Sequence, residues 1–433
     1  MSKSNLKGRV VYLVDGSRTP FLKAQGKPGP FRASDLAIAA GRPLLIRQPF
    51  EPDALDEVIL GCVSSGPDEA NIARIAALRL GCGYKVPAWT VHRNCASGMQ
   101  SVDSAALNIA TGRSDLVLAG GTEAMSHHPV LLNDTMITWL GDWSRAKNLS
   151  QRASQLAKLR PGHFKIIIAL LRGLSDPIVG LSMGQTAEII AHRFDISREM
   201  MDQFAVNSHQ RLGSAIEEGW LDEVEAIFDN KGKLYEQDDG LRTDSSVEKL
   251  ARLRPVFDRP TGKVTAGNSA QVTDGAAWLL LASASMVKKY KLQPLGRLID
   301  SQWSALDPSQ MGLGPVHAMS DLLQRNEMVT EDIDYWEINE AFAAQVLACQ
   351  AAWQDKDYCR EALGLEKAYS PIPSEILNVD GGGISLGHPV GASGTRILLH
   401  LLKTLQRNNK KYGVASLCIG GGQGGAMLLE NLS

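Results

Sequence analysis

Cys95 has the sequence context of a nucleophile. It lies in the segment 93–98 (RNCASG), between a predicted strand and a predicted helix. The positive end of a helix dipole lowers the pKa of a thiol and favours the thiolate. Open α/β sheets bind ligands at the carboxyl ends of their strands. A buried structural cysteine is the alternative, since most free cysteines are core residues, but the position in a turn favours a nucleophile.

Three further residues lie where predicted strands or loops lead into helices or glycine turns. His388 lies in a glycine-rich loop before a helix, where it could act as a base or pair with a thiolate. Cys418 ends a strand and enters a glycine loop whose N–H groups could hold an anionic oxygen. Asn339 could orient a water or a carbonyl. A structural role, or helix capping for Asn339, is the alternative for each; together with Cys95 they fit a nucleophile, a base, an oxyanion donor and a second proton carrier.

The elements that position these residues alternate between strands and helices in two blocks, which predicts an α/β fold. In the first block we predict strands at 10–14, 58–62, 88–91 and 116–119, and helices at 34–45, 72–80 and 97–111. In the second we predict strands at 276–281, 295–299, 335–338, 376–379 and 414–418, and helices at 316–324, 341–353 and 391–405. Helical periodicity dominates between the blocks.

The two blocks contain similar motifs at corresponding positions. The tripeptide ASG opens a predicted helix at 96–98 and again at 392–394, and glycines follow a predicted strand at 120–121 and at 420–422. Coincidence is the alternative, because these residue types are common, but the nearly equal offsets favour a duplicated unit. We therefore divide the chain into an N-terminal half (1–125), an insertion (126–264), a return strand of the first half (265–285) and a C-terminal half (286–433).

Composition excludes several classes of protein. The 433 residues include 45 Lys and Arg against 47 Asp and Glu, a net charge of −2, which argues against a nucleic-acid partner. The six cysteines form no C-x-x-C pair, so we expect neither a metal site nor a thioredoxin motif. The start of the sequence lacks the apolar stretch of a secretory signal, and no run of 18 apolar residues occurs. We expect a cytoplasmic protein with free thiols.

Five motifs occur in an order that resembles the thiolase family. They are NCASG at 94–98, GGTEAM at 120–125, NEAF at 339–342, GHP at 387–389 and CIGGG at 418–422. The resemblance spans nearly the whole chain, and the last two motifs are the most specific. It implies a five-layered α-β-α-β-α core from two duplicated halves, with a mainly helical loop domain inserted in the first half.

The resemblance also implies a reaction. Cys95 would attack the 3-keto carbonyl of a 3-oxoacyl-CoA after His388 activates the thiol, and Cys418 would protonate the departing acetyl-CoA enolate. Cys418 would then deprotonate CoA, which attacks the acyl-Cys95 thioester. One oxyanion hole would use His388 and a water held by Asn339, and the other the N–H groups of Cys95 and Gly420. Coenzyme A would be a substrate of this β-oxidation acyltransferase, with no permanently bound cofactor.

Contacts with CoA are expected from the insertion and the segment after it. Ser269 resembles the family residue that meets the pantetheine arm. We expect phosphate contacts from some of Arg242, Arg252 and Arg254, since guanidinium groups suit phosphates; a solvated face is the alternative. Ser182 stands where several short-chain members have histidine, which weakens an assignment as an acetoacetyl-CoA thiolase.

The long insertion resembles that of thiolase subunits in fatty-acid oxidation multienzyme complexes, which implies medium or long acyl chains. Family precedent implies a homodimer, and the complex implies a hydratase/3-hydroxyacyl-CoA dehydrogenase partner. The apolar stripe 166–171, within 163–181, could dock on a partner subunit or a membrane surface. The alternative is that it covers the protein's own core or dimer partner.

Three other functions compete with this interpretation. A biosynthetic acetoacetyl-CoA thiolase would use the same residues. A condensing 3-oxoacyl synthase shares the fold and nucleophile but lacks the second cysteine, so Cys418 argues against it. A non-catalytic lipid-binding relative typically lacks one of the reactive residues, whereas this chain has all four.

Overall fold

The structure, a computed structural model, describes residues 6–432. The N-terminal part contains β1 (Val11–Arg18), β2 (Leu22–Lys23), α1 (Ala33–Ile46), β3 (Glu57–Gly61), α2 (Ile72–Arg79), β4 (Ala88–Val91), α3 (Ser97–Ala110) and β5 (Leu116–Ala124). The insertion follows with β6 (Val130–Leu132), α4 (Asp134–Arg145), α5 (Leu149–Leu156), β7 (Ile166–Ile168), α6 (Ala169–Gly173), α7 (Met183–Arg193), α8 (Arg198–Glu217), β8 (Ile227–Phe228), β9 (Leu234–Tyr235) and α9 (Val247–Ala251).

The remainder completes the first half and forms the second. It contains β10 (Thr273–Ser283), α10 (Ala284–Tyr290), β11 (Gly296–Ala305), α11 (Gly314–Asn326), β12 (Tyr335–Ile338), α12 (Ala343–Gln354), α13 (Lys356–Leu363), α14 (Gly383–Leu386), α15 (Ser393–Arg407), β13 (Tyr412–Ile419) and β14 (Gln423–Asn431). Residues 1–5 and 433, the outer ends of our predicted units, lie outside the described residues.

The main strands follow the order β12-β13-β14-β11-β1-β10-β5-β3-β4. Among the described residues, the N-terminal and C-terminal strands meet where three residues of β1, Val11 to Leu13, pair with β11. In each half the strands that precede the candidate site are parallel: β3 pairs with β4 and β5, and β12 pairs with β13. Cys95 follows β4, Asn339 follows β12, and Cys418 lies near the end of β13, so all three occupy carboxyl ends of parallel strands.

Buried side chains separate into layers that follow the two faces of the strands. Leu280 of β10 packs with α1 and α2, whereas its neighbours Leu279 and Leu281 pack with α3 and α15. This alternation is expected for a strand that is buried on both faces. A third cluster joins α11 and α12 to the outer face of the C-terminal strands. The layers run α-β-α-β-α, with α3 and α15, the helices that begin at the two ASG tripeptides, in the central layer.

In the main strand order, one predicted strand is wrong and one strand was missed. Residues 376–379 do not form a strand, apart from one bridge between Leu377 and Trp336. Asn378 adopts a left-handed conformation (φ 47°) and its side chain bonds both the N–H and the carbonyl of Ile338. The amide side chain thus takes the place of strand backbone, as Asn can in loops. The strand β14 was not predicted, because its second and third residues, Gly424 and Gly425, have low strand propensity.

The apolar stripe of the insertion is part strand and part helix. Ile166–Ile168 forms β7, which pairs antiparallel with β6, and α6 begins at Ala169. Three consecutive β-branched residues favour a strand, so helical periodicity was the wrong description of this segment. Within residues 6–432, no helix has the length and apolar character needed to cross a membrane.

Candidate active site

The turn that carries Cys95 is fixed by side-chain hydrogen bonds. Asn94 adopts a positive φ of 43°, and its Nδ2 donates to the carbonyl of Gly420 at 2.7 Å. The Ser97 hydroxyl accepts from the N–H of Arg93 at 2.9 Å and donates to the carbonyl of Asn94 at 2.7 Å. The turn therefore holds the half-buried Cys95 between the start of α3 and the glycine loop after β13.

Burial decides the pKa of the Cys95 thiol. The N–H groups of Gly420 and of Cys95 itself favour the thiolate, but burial is the larger effect and raises the pKa above its ordinary value. The sequence-based expectation of a lowered pKa is therefore wrong, because the helix terminus is outweighed by desolvation. The thiol needs a base to become a nucleophile.

His388 has the properties of that base. It lies between α14 and α15, and its Nδ1 is 2.6 Å from the hydroxyl of Ser393, which donates to the carbonyl of Pro389. With the hydroxyl proton used in this way, Nδ1–H donates to Ser393 and Nε2 is left as the acceptor. Burial, together with the positive charge of Arg396, lowers the pKa of His388 to about 4. The ring is therefore neutral at pH 7.

Asn339 and Cys418 complete the group. Asn339 Nδ2 lies 3.4 Å from Nδ1 and 3.5 Å from Nε2 of His388. Its Oδ1 is buried and has no hydrogen-bond partner among the described residues, so it can accept from a water. Cys418 is buried, and burial together with the neighbouring Cys95 raises its pKa well above the ordinary value. At neutral pH Cys418 is a protonated thiol and a potential acid.

Glycines let the loop of His388 approach the first half. A Cβ at Gly391 would lie 2.4 Å from the carbonyl oxygen of Thr122, and one at Gly387, where φ is 109°, would lie 2.3 Å from Thr273. Real side chains do not tolerate such contacts, so both positions require glycine. Backbone from the second half is thus packed directly on β5 and β10.

A cavity of about 1130 Å³ opens in front of Cys95. Gly420 and Met183 line it beside the thiol, and one wall is the segment 166–178, which is mostly apolar. Sites for small ligands are commonly about 300–1,000 Å³. The cavity is large enough for an extended apolar group next to the nucleophile.

Comparison with known families agrees with this geometry. The family model described as "Thiolase, N-terminal domain" matches residues 11–285, and "Thiolase, C-terminal domain" matches residues 292–431. The chain belongs to the thiolase family. The predicted family, α/β fold class and acyltransferase class are thereby confirmed.

Individual thiolases are similar over their full length. A 3-ketoacyl-CoA thiolase of Yersinia pestis (strain Pestoides F) is 36% identical over 427 residues, covering 98% of this chain and 97% of that protein. The human mitochondrial 3-ketoacyl-CoA thiolase in complex with CoA has 36% identity and a TM-score of 0.83, covering 98% of each chain. The Bacillus anthracis acetyl-CoA acetyltransferase also has 36% identity and a TM-score of 0.83, covering 99% and 100%.

The residues predicted to contact CoA do not line the cavity that contains Cys95. Ser269 is buried, does not line the cavity, and its hydroxyl donates to the carbonyl of Thr265 at 2.7 Å. Arg242, Arg252 and Arg254 are exposed, and within residues 6–432 their guanidinium groups form neither ion pairs nor hydrogen bonds. The structure thus places Cys418 and Gly420 near Cys95, and Asn339 beside His388. It does not place Ser269 or the three arginines in the cavity of Cys95.

Sequence reasoning missed the residues that hold the thiolase site in place. Asn94 lies in the NCASG motif and Ser393 in the second ASG tripeptide. Their positions, next to Cys95 and five residues after His388, could have indicated that they hold these two side chains. Glu123, inside the GGTEAM motif, is fully buried close to Cys95. A charged residue within a predicted buried strand was the signal that could have identified it.

Proposed function

We propose that the chain is a 3-oxoacyl-CoA thiolase of fatty-acid β-oxidation. It cleaves 3-oxoacyl-CoA with CoA to give acetyl-CoA and an acyl-CoA shortened by two carbons. The observation that carries this proposal is the arrangement of the site: Cys95 lines a large cavity beside Gly420, Cys418 is its neighbour, and the neutral His388 is held by Ser393 and Asn339. CoA is a substrate in this proposal, and no cofactor is bound permanently.

In the first half-reaction, His388 Nε2 accepts the Cys95 proton and Sγ attacks the 3-keto carbon. The bond between C2 and C3 then breaks, its electron pair forms the acetyl-CoA enolate, and Cys418 donates the proton to C2. A water held by the free Oδ1 of Asn339, together with His388, would stabilise the enolate oxygen. Cys95 is left as the acyl thioester.

In the second half-reaction, the Cys418 thiolate takes the proton of CoA, whose sulfur attacks the acyl-Cys95 carbonyl. The N–H groups of Cys95 and Gly420 would hold the oxygen of this tetrahedral intermediate. Sγ of Cys95 leaves and regains its proton from His388, which restores the starting state.

The nucleophile can be tested with a matched cysteine control. Cys95→Ala removes the attacking atom, so thiolysis of a 3-oxoacyl-CoA should be abolished. Cys82→Ala changes a fully buried cysteine away from the cavity and should leave activity largely intact. Substrate without free CoA should leave an acyl group on Cys95, which mass spectrometry of peptides detects. Full activity in Cys95→Ala, or the acyl group on another cysteine, would refute the proposal.

We propose that medium or long acyl chains are the substrates. The apolar wall formed by 166–178 lies beside Cys95 and suits a chain longer than acetoacetyl. The alternative is a biosynthetic acetoacetyl-CoA thiolase. The equal similarity to an acetyl-CoA acetyltransferase supports that alternative. Thiolysis rates from C4 to C16, with the chain purified alone, decide between them. A maximum at C4 would favour the biosynthetic enzyme.

The CoA contacts and the unit boundaries remain part of the proposal. Ser269 would meet the pantetheine arm, and the unpaired guanidinium groups of Arg242, Arg252 and Arg254 would meet phosphates. Each arginine changed to Ser should raise KM for CoA with little change in kcat if it contacts a phosphate. The divisions at 125/126, 264/265 and 285/286 are proposed as drawn from the sequence, as is a cytoplasmic location.

We propose a homodimer that can also bind a hydratase/3-hydroxyacyl-CoA dehydrogenase subunit, with membrane contact through 163–181. Within that segment Phe164, Leu171 and Ile178 are 62%, 60% and 83% exposed, beside the basic Lys165 and Arg172. Apolar and basic residues together suit an anionic membrane surface. Sedimentation should give a dimer, and flotation with anionic vesicles should weaken when Phe164 and Leu171 are changed to Ser.

A further inference from the structure

Glu123 is a buried carboxylate without a cation beside it. It lies in β5 with 0% of its surface exposed, and within residues 6–432 no Lys, Arg or His forms an ion pair with it. Burial raises its pKa to about 7. A buried carboxylate that lacks an ionic partner is unfavourable unless hydrogen bonds satisfy it. The groups that contact the Glu123 carboxylate therefore indicate its role.

Those contacts are backbone groups of two separate loops. Oε2 accepts from the N–H of Val63 at 2.9 Å and Oε1 from the N–H of Ser64 at 3.0 Å. The carboxylate also lies against Gly391, where a Cβ would come 2.8 Å from Oε2, and the Gly391 N–H favours its charged form. The first loop follows β3 in the N-terminal half, and the second contains His388 in the C-terminal half. Val63 and Val390, one from each loop, line the cavity that contains Cys95.

The same loop is packed tightly on its other side. A Cβ at Gly121 would lie 1.9 Å from the carbonyl oxygen of Gly391, and one at Gly98 would lie 2.7 Å from it. The Gly391 carbonyl therefore rests on β5 and on the first turn of α3, the helix that begins after Cys95. Because the Glu123 carboxylate lies against Gly391 as well, Gly391 contacts the first half on two sides.

We propose that Glu123 is a positioning residue of this site: its carboxylate joins the Val63–Ser64 loop to the loop of His388 and so sets the place of the base relative to Cys95. This inference rests on the proposed thiolase function. The ionisable groups that face Glu123 are the thiols of Cys62, 3.7 Å from Oε1, and of Cys95, with Glu69 next to Cys62.

Two substitutions separate the effect of the Glu123 charge from the effect of its side-chain length. Glu123→Gln removes the charge and turns an amide N–H₂ towards backbone donors, so one loop must be released. Glu123→Asp keeps the charge but is one methylene too short to hold both loops. A misplacement of about 1 Å can cost roughly 100-fold in rate, so we expect both variants to lose about tenfold or more in kcat while KM changes little.

The pH profile of Cys95 alkylation by iodoacetamide, measured on this residue by peptide mass spectrometry, gives a readout that a structural role would not move. Removing a like charge favours the thiolate, so the midpoint should shift to lower pH in Glu123→Gln and stay in place in Glu123→Asp. Glu57→Gln is the matched control: Glu57 is also buried and bonds Trp89 and Asn108 at the far end of β3. It should lower stability without changing kcat or the alkylation profile.

The outcomes are distinguishable. Glu123 variants with kcat within about twofold of the unsubstituted protein would overturn the inference, as would a loss of activity that only follows the folded fraction with an unchanged alkylation profile in Glu123→Gln. If Glu123→Gln does not fold, Glu123→Asp alone tests whether the length of the Glu123 side chain is needed to hold both loops. If the unsubstituted chain cleaves no 3-oxoacyl-CoA of any length, the proposed function fails, whereas the alkylation profiles still test the coupling of Glu123 to Cys95.

Discussion

Two buried histidines of the C-terminal half differ in charge at pH 7, because one ring is neutral and the other is protonated. His388 lies just before α15 and His400 lies within it, and both are almost completely buried. The pKa of His388 is lowered to about 4, whereas that of His400 is raised to about 10. Burial disfavours the charged form of both rings, so the difference comes from their partners.

The partners of His400 are carboxylates. Its Nδ1 lies 3.1 Å from Glu223 and its Nε2 lies 2.9 Å from Asp380. Arg18 also bonds Glu223, and Arg407 also bonds Asp380. The network joins β1, the insertion and α15, so a protonated His400 connects three parts of the chain. His388 instead meets a hydroxyl and an amide, and therefore keeps a nitrogen that can accept a proton.

The largest effect should follow from replacing the neutral histidine. In His388→Gln the base for Cys95 is lost, and general-base groups contribute about 10²–10⁴-fold. We expect thiolysis to fall about 1,000-fold, with little change in the free energy of unfolding. Measuring acyl-Cys95 formation in a single turnover checks that the first half-reaction is the one affected. Formation at an unchanged rate would show that His388 is not the base.

For His400, the charged histidine, we expect a loss of stability rather than a loss of activity. His400→Gln leaves Glu223 and Asp380 with one cation each, and removing one member of a buried ionic group costs about 3 kcal/mol or more. Urea unfolding should show this loss. Activity per folded molecule should remain within about twofold at low temperature. A loss of kcat as large as that of His388→Gln would contradict the division into a chemical and a structural histidine.

The sequence indicates candidate residues at turns more readily than residues in buried networks. Cys95, His388 and Cys418 stand out because a reactive side chain beside glycines at the end of a strand is an unusual local pattern. His400 could not be assigned a partner, because Glu223 is 177 residues away in the chain. The strand pattern of both halves was predictable from β-branched runs, but Asn378 shows how one side chain can replace a strand. The direction of the Cys95 pKa was wrong because a helix terminus is visible in a sequence and burial is not.

The dependence of stability on pH should have opposite signs for the two histidines. The ordinary pKa is 6.5. For His400 the folded state holds the proton up to about pH 10, so its contribution is full below pH 6.5 and is lost as the pH rises towards 10. For His388 the unfolded chain takes up the proton first, so the folded state loses stability as the pH falls from 6.5 towards 4.

Unfolding curves from pH 5 to 9 can separate these two contributions. The difference in the free energy of unfolding between the unsubstituted protein and His400→Gln should be largest near pH 6 and should shrink by pH 9. Relative to His388→Gln, the unsubstituted protein should lose stability below pH 6.5. Equal slopes for both variants would mean that the two rings share one charge state.

The smallest loss of activity should follow from changing Ser393, whose hydroxyl sets the tautomer of His388. In Ser393→Ala the Nδ1–H loses its acceptor, the ring can rotate or exchange its proton, and Nε2 is no longer always the free acceptor. We expect kcat/KM for thiolysis to fall about tenfold, since a hydrogen bond of this kind contributes about 1–1.5 kcal/mol. Ser17→Ala is the matched control, because Ser17 is equally buried and donates to the carbonyl of Ala40 at 2.7 Å. If both variants lose the same activity, the tautomer is set by something other than Ser393, and Asn339, 3.4 Å from the ring, becomes the residue to change.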